Sequence, residues 1–157
     1  MGARDKARLR IELLGRLEAQ LATARAAHAA AIAGAIDDEA RPENTKDTRG
    51  LEQSYLARGY AQRVAELEAA VAAIAVMTIA AQSRVAIGAI VITLAVDDDR
   101  ERAFLIAGHG GGVELGDITV VTPTSPLGRA LLGKCIDDEC ELAVGDTRRT
   151  LAITSVE

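Results

Sequence analysis

Five carboxylates crowd one short polar stretch of this chain: Asp37, Asp38, Glu39, Glu43 and Asp47, interrupted by Arg41, Pro42, Asn44 and Lys46. Carboxylate oxygens are the natural ligands of a hard divalent cation such as magnesium, and a carboxylate can also orient or deprotonate a water. Acid-rich runs are equally at home as solvated turns, so position decides what such a stretch can do. Asp97-Asp98-Asp99 and Asp137-Asp138-Glu139 stand beside strand-like runs and read as solvated turns. The 37–47 stretch stands between two long helical patterns instead.

The other reactive side chains form no site. Cys135 and Cys140 lack C-x-x-C spacing and a nearby histidine pair, so they read as thiols rather than zinc ligands. His28 falls on a helical seam, and His109 has no Ser, Cys or Asp at a nucleophilic spacing. Gly108-His109-Gly110-Gly111-Gly112 lacks the following Lys-Ser/Thr of a phosphate loop and reads as a flexible connection.

The elements that must position the acidic stretch are legible from periodicity. Leu14, Leu17, Leu21, Ala24, His28, Ala31 and Ala35 alternate spacings of three and four, as do Tyr60, Val64, Leu67, Val71 and Ile74. That is the seam of a coiled coil. The pattern predicts an antiparallel hairpin of two helices, each about 45 Å long at 1.5 Å per residue, with the acids at its tip. Gly34 and the acidic cluster predict the end of the first helix, Pro42 suits the first turn of the second, and Gly50 predicts an early interruption. Glu43 near that N-terminus is favoured by the helix dipole.

Beyond Gln82-Ser83 the pattern changes. Val85 to Leu94 is a continuous β-branched run, Asp97-Asp98-Asp99 a turn, and Arg102–Ile106 the returning strand. Further strands are expected at Ile118–Val121, Cys140–Val144 and Thr150–Val156. Ser125 caps a helix that opens on Pro126, and Gly133 ends it. The fold class is α+β: residues 1–81 form the hairpin and residues 84–157 a small, mostly antiparallel β domain with one short helix.

Bulk properties narrow the function. The net charge of −5 argues against a broad phosphate-binding surface. The charge is uneven: residues 1–36 carry six basic groups against Asp5, Glu12 and Glu18, whereas residues 84–157 are acidic. The longest uncharged apolar run, Ala69–Ala81, has 13 residues, short of the roughly 20 that span a bilayer. The opening residues are charged and show no signal-peptide core, so a cytoplasmic location without membrane association is expected.

Ser125-Pro126-Leu127-Gly128-Arg129-Ala130-Leu131-Leu132-Gly133-Lys134, followed by Asp137-Asp138 and a strand, resembles the C-terminal signature of the bacterial Gre transcript-cleavage factors, the GreA/GreB family. Val85, Gly88, Val91, Phe104-Leu105-Ile106, Gly108, Asp117–Val121 and Thr150–Val156 extend the likeness over residues 84–157. The resemblance implies an FKBP-like C-terminal domain behind a coiled-coil hairpin. It also implies RNA polymerase as the partner, with RNA and DNA met only through the polymerase complex, and a monomeric factor that is an accessory rather than an enzyme.

In the family, the C-terminal domain docks at the rim of the polymerase secondary channel, a role that falls here on Ser125, Pro126, Arg129 and Lys134. The tip carboxylates help hold the polymerase's second magnesium so that it cleaves backtracked RNA; the factor has no cofactor of its own. The family's tip reads roughly Gly-Asp-Leu-x-Glu-Asn-x-Glu-Tyr. Here Glu43-Asn44 matches its Glu-Asn pair, Ala40 stands where its Asp would, and Lys46-Asp47 replaces its Glu-Tyr. Glu43 is thus the expected magnesium-facing carboxylate, Asp38 or Glu39 the second, and Asn44 and Asp47 neighbours that meet the partner. The departures leave open a channel-occupying regulator without cleavage, like the Rnk-type relatives. Prolyl isomerase activity is not expected, because Phe104 is the domain's one aromatic residue.

Overall fold

The computed structural model describes residues 4–39 and 46–157, and for residues 38, 39 and 46–49 the backbone alone. Helix α1 spans Lys6–Glu39 and helix α2 spans Lys46–Ala75. They are followed by β1 (Ile90–Ala95), β2 (Glu101–Ile106), β3 (Glu114–Leu115), β4 (Ile118–Val121), α3 (Pro126–Leu131), β5 (Glu139–Val144) and β6 (Thr147–Val156). By their contacts the residues fall into two compact units, Gly15–Ala72 and Met1–Leu14 with Ala73–Glu157.

The Gly15–Ala72 unit is the helical hairpin. Leu17, Leu21, Ala24 and Ala31 are buried on α1, and Leu67 and Ala70 on α2. His28, Ala35, Tyr60, Val64 and Val71 are half-buried, as the seam requires of flanking positions. The pairing is antiparallel. Gln20 accepts from Arg63 at 3.2 Å, Arg25 meets Glu68 at 2.8 Å, and a Cβ on Gly34 would lie 3.1 Å from the Gln53 side chain. Both charged groups of the Arg25–Glu68 pair are about half exposed, so it fixes register more than it stabilises.

Two expected interruptions are absent. Gly34 and Asp37–Glu39 lie inside α1, and α2 runs unbroken through Gly50. A glycine costs about 1 kcal/mol relative to alanine in a helix interior, and a long packed seam offsets that. Pro42 lies outside the described residues.

In the other unit, a six-stranded sheet has the order β3-β4-β2-β1-β6-β5. Every pairing is antiparallel except β2 with β4, which is parallel, Ala103 opposite Ile118 through Ile106 opposite Val121. Helix α3 packs on one face over Val91, Phe104, Ile106, Val121, Ile153 and Cys140, with Leu131 fully buried. The strand expected from Val85 begins only at Ile90. Gly88 takes φ +88°, and a Cβ there would come within 2.3 Å of the Thr78 carbonyl oxygen, so the chain turns at 86–89 to pass the end of the helical segment. Arg84 makes an isolated bridge with Cys135 instead. The remaining strands and α3 fall where the residue pattern places them, and β3 is an addition.

The first turns of α1 are seated on this body. Leu13 is fully buried against Gly110, where a Cβ would lie 2.8 Å from the Leu13 side chain and φ is +81°. The Arg4 amide donates to Glu157 at 3.0 Å and its guanidinium meets Asp117 at 3.3 Å. Lys6 Nζ donates to the Ala80 carbonyl at 2.9 Å and Arg10 to the Met77 carbonyl at 3.0 Å, satisfying acceptors just past the C-terminus of α2. Burial holds the Lys6 ammonium below its ordinary value, with Glu157 opposing that shift.

Candidate functional site

The chemistry-bearing residues sit in two places, each set by a local rule. Helix α1 carries Asp37, Asp38 and Glu39 on its last turn, and α2 resumes with Lys46 and Asp47 on its first. Three of the five acids of the stretch, Asp37, Asp38 and Glu39, thus stand on α1, and Asp47 stands on α2. Glu43, Asn44 and Ala40 lie outside the described residues, as do the side chains of Asp38, Glu39 and Asp47. A carboxylate at the C-terminal end of a helix faces the negative end of its dipole, which does not favour the charge.

The second place is α3. Ser125 is its N-cap, with φ −69° and ψ 157°. The Ser125 hydroxyl donates to the Thr122 carbonyl at 2.8 Å and accepts from the Gly128 amide at 3.0 Å. Pro126 occupies the first helical position, where its missing N–H is not needed. Gly128 lies so close to the preceding turn that a Cβ would sit 1.9 Å from the Thr122 carbonyl oxygen. The Ser-Pro-x-Gly pattern is thus a folding requirement: cap, first turn and close approach.

Its outward residues differ in role. Pro126 and Arg129 are exposed, and Leu132 and Ile136 expose 43% and 54% of their surface despite being apolar. Lys134 is half-buried; its backbone N–H donates to Leu131 and its carbonyl accepts from Val85. Of the four residues expected to dock a partner, Pro126 and Arg129 are exposed, whereas Ser125 caps α3 and Lys134 ties the end of α3 to Val85 through its backbone. The exposed apolar pair Leu132 and Ile136 was not singled out by residue type, because the Leu-Leu pair at 131–132 reads as core throughout.

Cys140 is buried on β5, and burial pushes its thiol up, with Lys134 pulling the other way. That keeps it protonated and poorly nucleophilic. Among the described residues no group of three His, Cys, Asp or Glu is placed to hold a metal ion, and no helix is long and apolar enough to cross a membrane.

The family described as transcription elongation factor, GreA/GreB, C-term matches residues 80–157. Among solved structures, GreA factor homolog 1 of Thermus thermophilus is 16% identical, with 92% of this chain and 94% of that chain covered and a TM-score of 0.42. The homolog from Thermus aquaticus is 18% identical over 91% of this chain and 92% of that one, at 0.43. A GreA/GreB elongation factor from Nitrosomonas europaea is 17% identical over 57% and 78%, at 0.37. No curated protein matches the chain. Through its C-terminal half, residues 80–157, the chain belongs to the GreA/GreB family of transcription elongation factors, as a divergent member.

Proposed function

We propose that this protein binds RNA polymerase, enters the secondary channel with its helical hairpin, and promotes cleavage of backtracked RNA. The observation that carries the reading is one chain combining a GreA/GreB C-terminal domain with two long paired helices joined through an acid-rich stretch of sequence. The C-terminal domain serves as the docking body, through Pro126, Arg129 and the exposed Leu132. The tip supplies Glu43 and one of Asp38 or Glu39 as carboxylates. Magnesium belonging to the polymerase polarises the scissile phosphate and activates water, and hard carboxylate oxygens suit it as ligands. The factor lends oxygens and the polymerase owns the reaction, so the protein is an accessory and not itself a nuclease. Its place of work is then the cytoplasm, with the polymerase.

A second reading is favoured by Ala40 and Lys46, which stand where the family's tip has acids. Under it the hairpin occupies the channel and regulates access without cleavage. Adding purified protein to a stalled, backtracked elongation complex separates the two. Shortening of the RNA from its 3′ end above the polymerase's intrinsic rate supports the first reading. Binding without shortening, with loss of cleavage by an authentic factor in competition, supports the second. Failure to bind polymerase contradicts both.

A further inference from the structure

Helix α3 is only six residues long, and on the sheet face beyond Leu127 lies a cavity of about 390 Å³. That is within the range of about 300–1,000 Å³ typical of small-ligand sites. Phe104, Leu142 and Leu151 give it an apolar floor, and Arg100, Arg102 and Arg149 stand around it. Arg149 is matched by Asp97 at 3.4 Å, whereas Arg100 and Arg102 have no carboxylate partner among the described residues. Thr93 lies directly opposite Arg102 across the β1–β2 ladder, so both side chains leave the sheet on the face that carries Phe104. Thr93 is 1% exposed, and its hydroxyl is the one buried side-chain polar group without a hydrogen-bond partner among the described residues. An orphan hydroxyl in an apolar wall is costly, and nothing among the described residues relieves it.

We propose that this cavity is a binding site for a small amphipathic carboxylate: an apolar aliphatic or aryl body carrying one anionic head. The head accepts hydrogen bonds from the Arg102 guanidinium and the Thr93 hydroxyl. The body rests on Phe104, Leu142 and Leu151. An anionic head suits the site, since Asp97 takes up only one of the three cations and leaves Arg100 and Arg102 facing it. Charge-assisted bonds from a guanidinium are the strong kind, and they give the site a preference for an anion over a neutral group of the same shape. The site is on the sheet body and is independent of what the hairpin tip does.

The test uses the full chain, with 4-phenylbutyrate and the neutral 4-phenylbutanol as probes, read from amide shifts in two-dimensional NMR spectra. The carboxylate is expected to move resonances at 93–95, 102–104 and 142–144 and to bind at least about fivefold more tightly than the alcohol, roughly 1 kcal/mol. Arg102→Met, which keeps the aliphatic stem, and Thr93→Val, which keeps the volume, are each expected to weaken the carboxylate about fivefold while leaving the alcohol unchanged. Equal affinity for the two probes, equal weakening of both by either variant, or shifts elsewhere would overturn the proposal. So would absence of saturable binding up to about 10 mM carboxylate. Occupation of the cavity by an acidic protein segment with no response to the carboxylate probe would assign it to a macromolecular partner and equally overturn it.

Discussion

Thr93, Cys140 and Gly128 each carry a distinct physical burden that their residue type alone does not disclose. Thr93 is central in a β-branched strand and buries a hydroxyl without a partner among the described residues. Removing that hydroxyl in Thr93→Val should raise stability by about 1 kcal/mol, seen as a higher urea midpoint with an unchanged slope. Cys140 has its thiol pushed up by burial. Above the ordinary thiol value of 9.0 the unfolded chain loses the proton while the folded chain keeps it, so stability contributed below that pH is lost as pH rises. Lys6 has the opposite sign, because its depressed value makes stability grow as pH rises toward its ordinary 10.5. Both wild type and Cys140→Ala retain Lys6, so the comparison isolates the thiol. Between about pH 8 and about pH 10, denaturant unfolding should show wild type losing stability relative to Cys140→Ala. Gly128→Ala should cost about 3–5 kcal/mol, measured by thermal or urea unfolding, because backbone rather than a pliable side chain blocks the added methyl.

At the level of elements, most boundaries followed from periodicity and punctuation. The seam positions Leu17, Leu21, Ala24, Ala31 and Leu67 are buried as their three-four spacing requires, because burial along a hairpin is a one-dimensional problem. Leu67→Ala should therefore cost about 2–5 kcal/mol in unfolding experiments. Ser125, Pro126 and Gly133 delimit α3 by local capping chemistry, which depends on neighbours a few residues away. What escaped the residue pattern depends on partners far along the chain. The turn at 86–89 exists because Gly88 meets Thr78, and the parallel β2–β4 pairing is a matter of topology, not of strand composition. Gly110 seats Leu13, a pairing of residues nearly a hundred positions apart that a glycine-rich loop does not advertise. Gly34 and Gly50 misdirected the helix ends because propensity is a weak prior against a packed seam.

For the whole molecule, membership of the GreA/GreB family rests on residues 80–157, and the proposed action rests on the hairpin those residues carry. The Ser125–Lys134 motif was legible in the sequence because its residues also satisfy folding rules. The proposed tip carboxylates were legible only as an acid-rich stretch between two helical patterns, since a carboxylate lent to another protein's metal would need no partner within its own chain. Scaffold and tip should therefore separate: Leu67→Ala loses stability, whereas Glu43→Gln leaves the unfolding transition within about 0.5 kcal/mol of wild type. The most direct measurement is RNA length in a backtracked elongation complex with wild-type protein and with Glu43→Gln, at equal polymerase occupancy. The account predicts 3′ shortening with wild type and a return to the intrinsic polymerase rate with Glu43→Gln. No shortening with wild type, or undiminished shortening with Glu43→Gln, would contradict it.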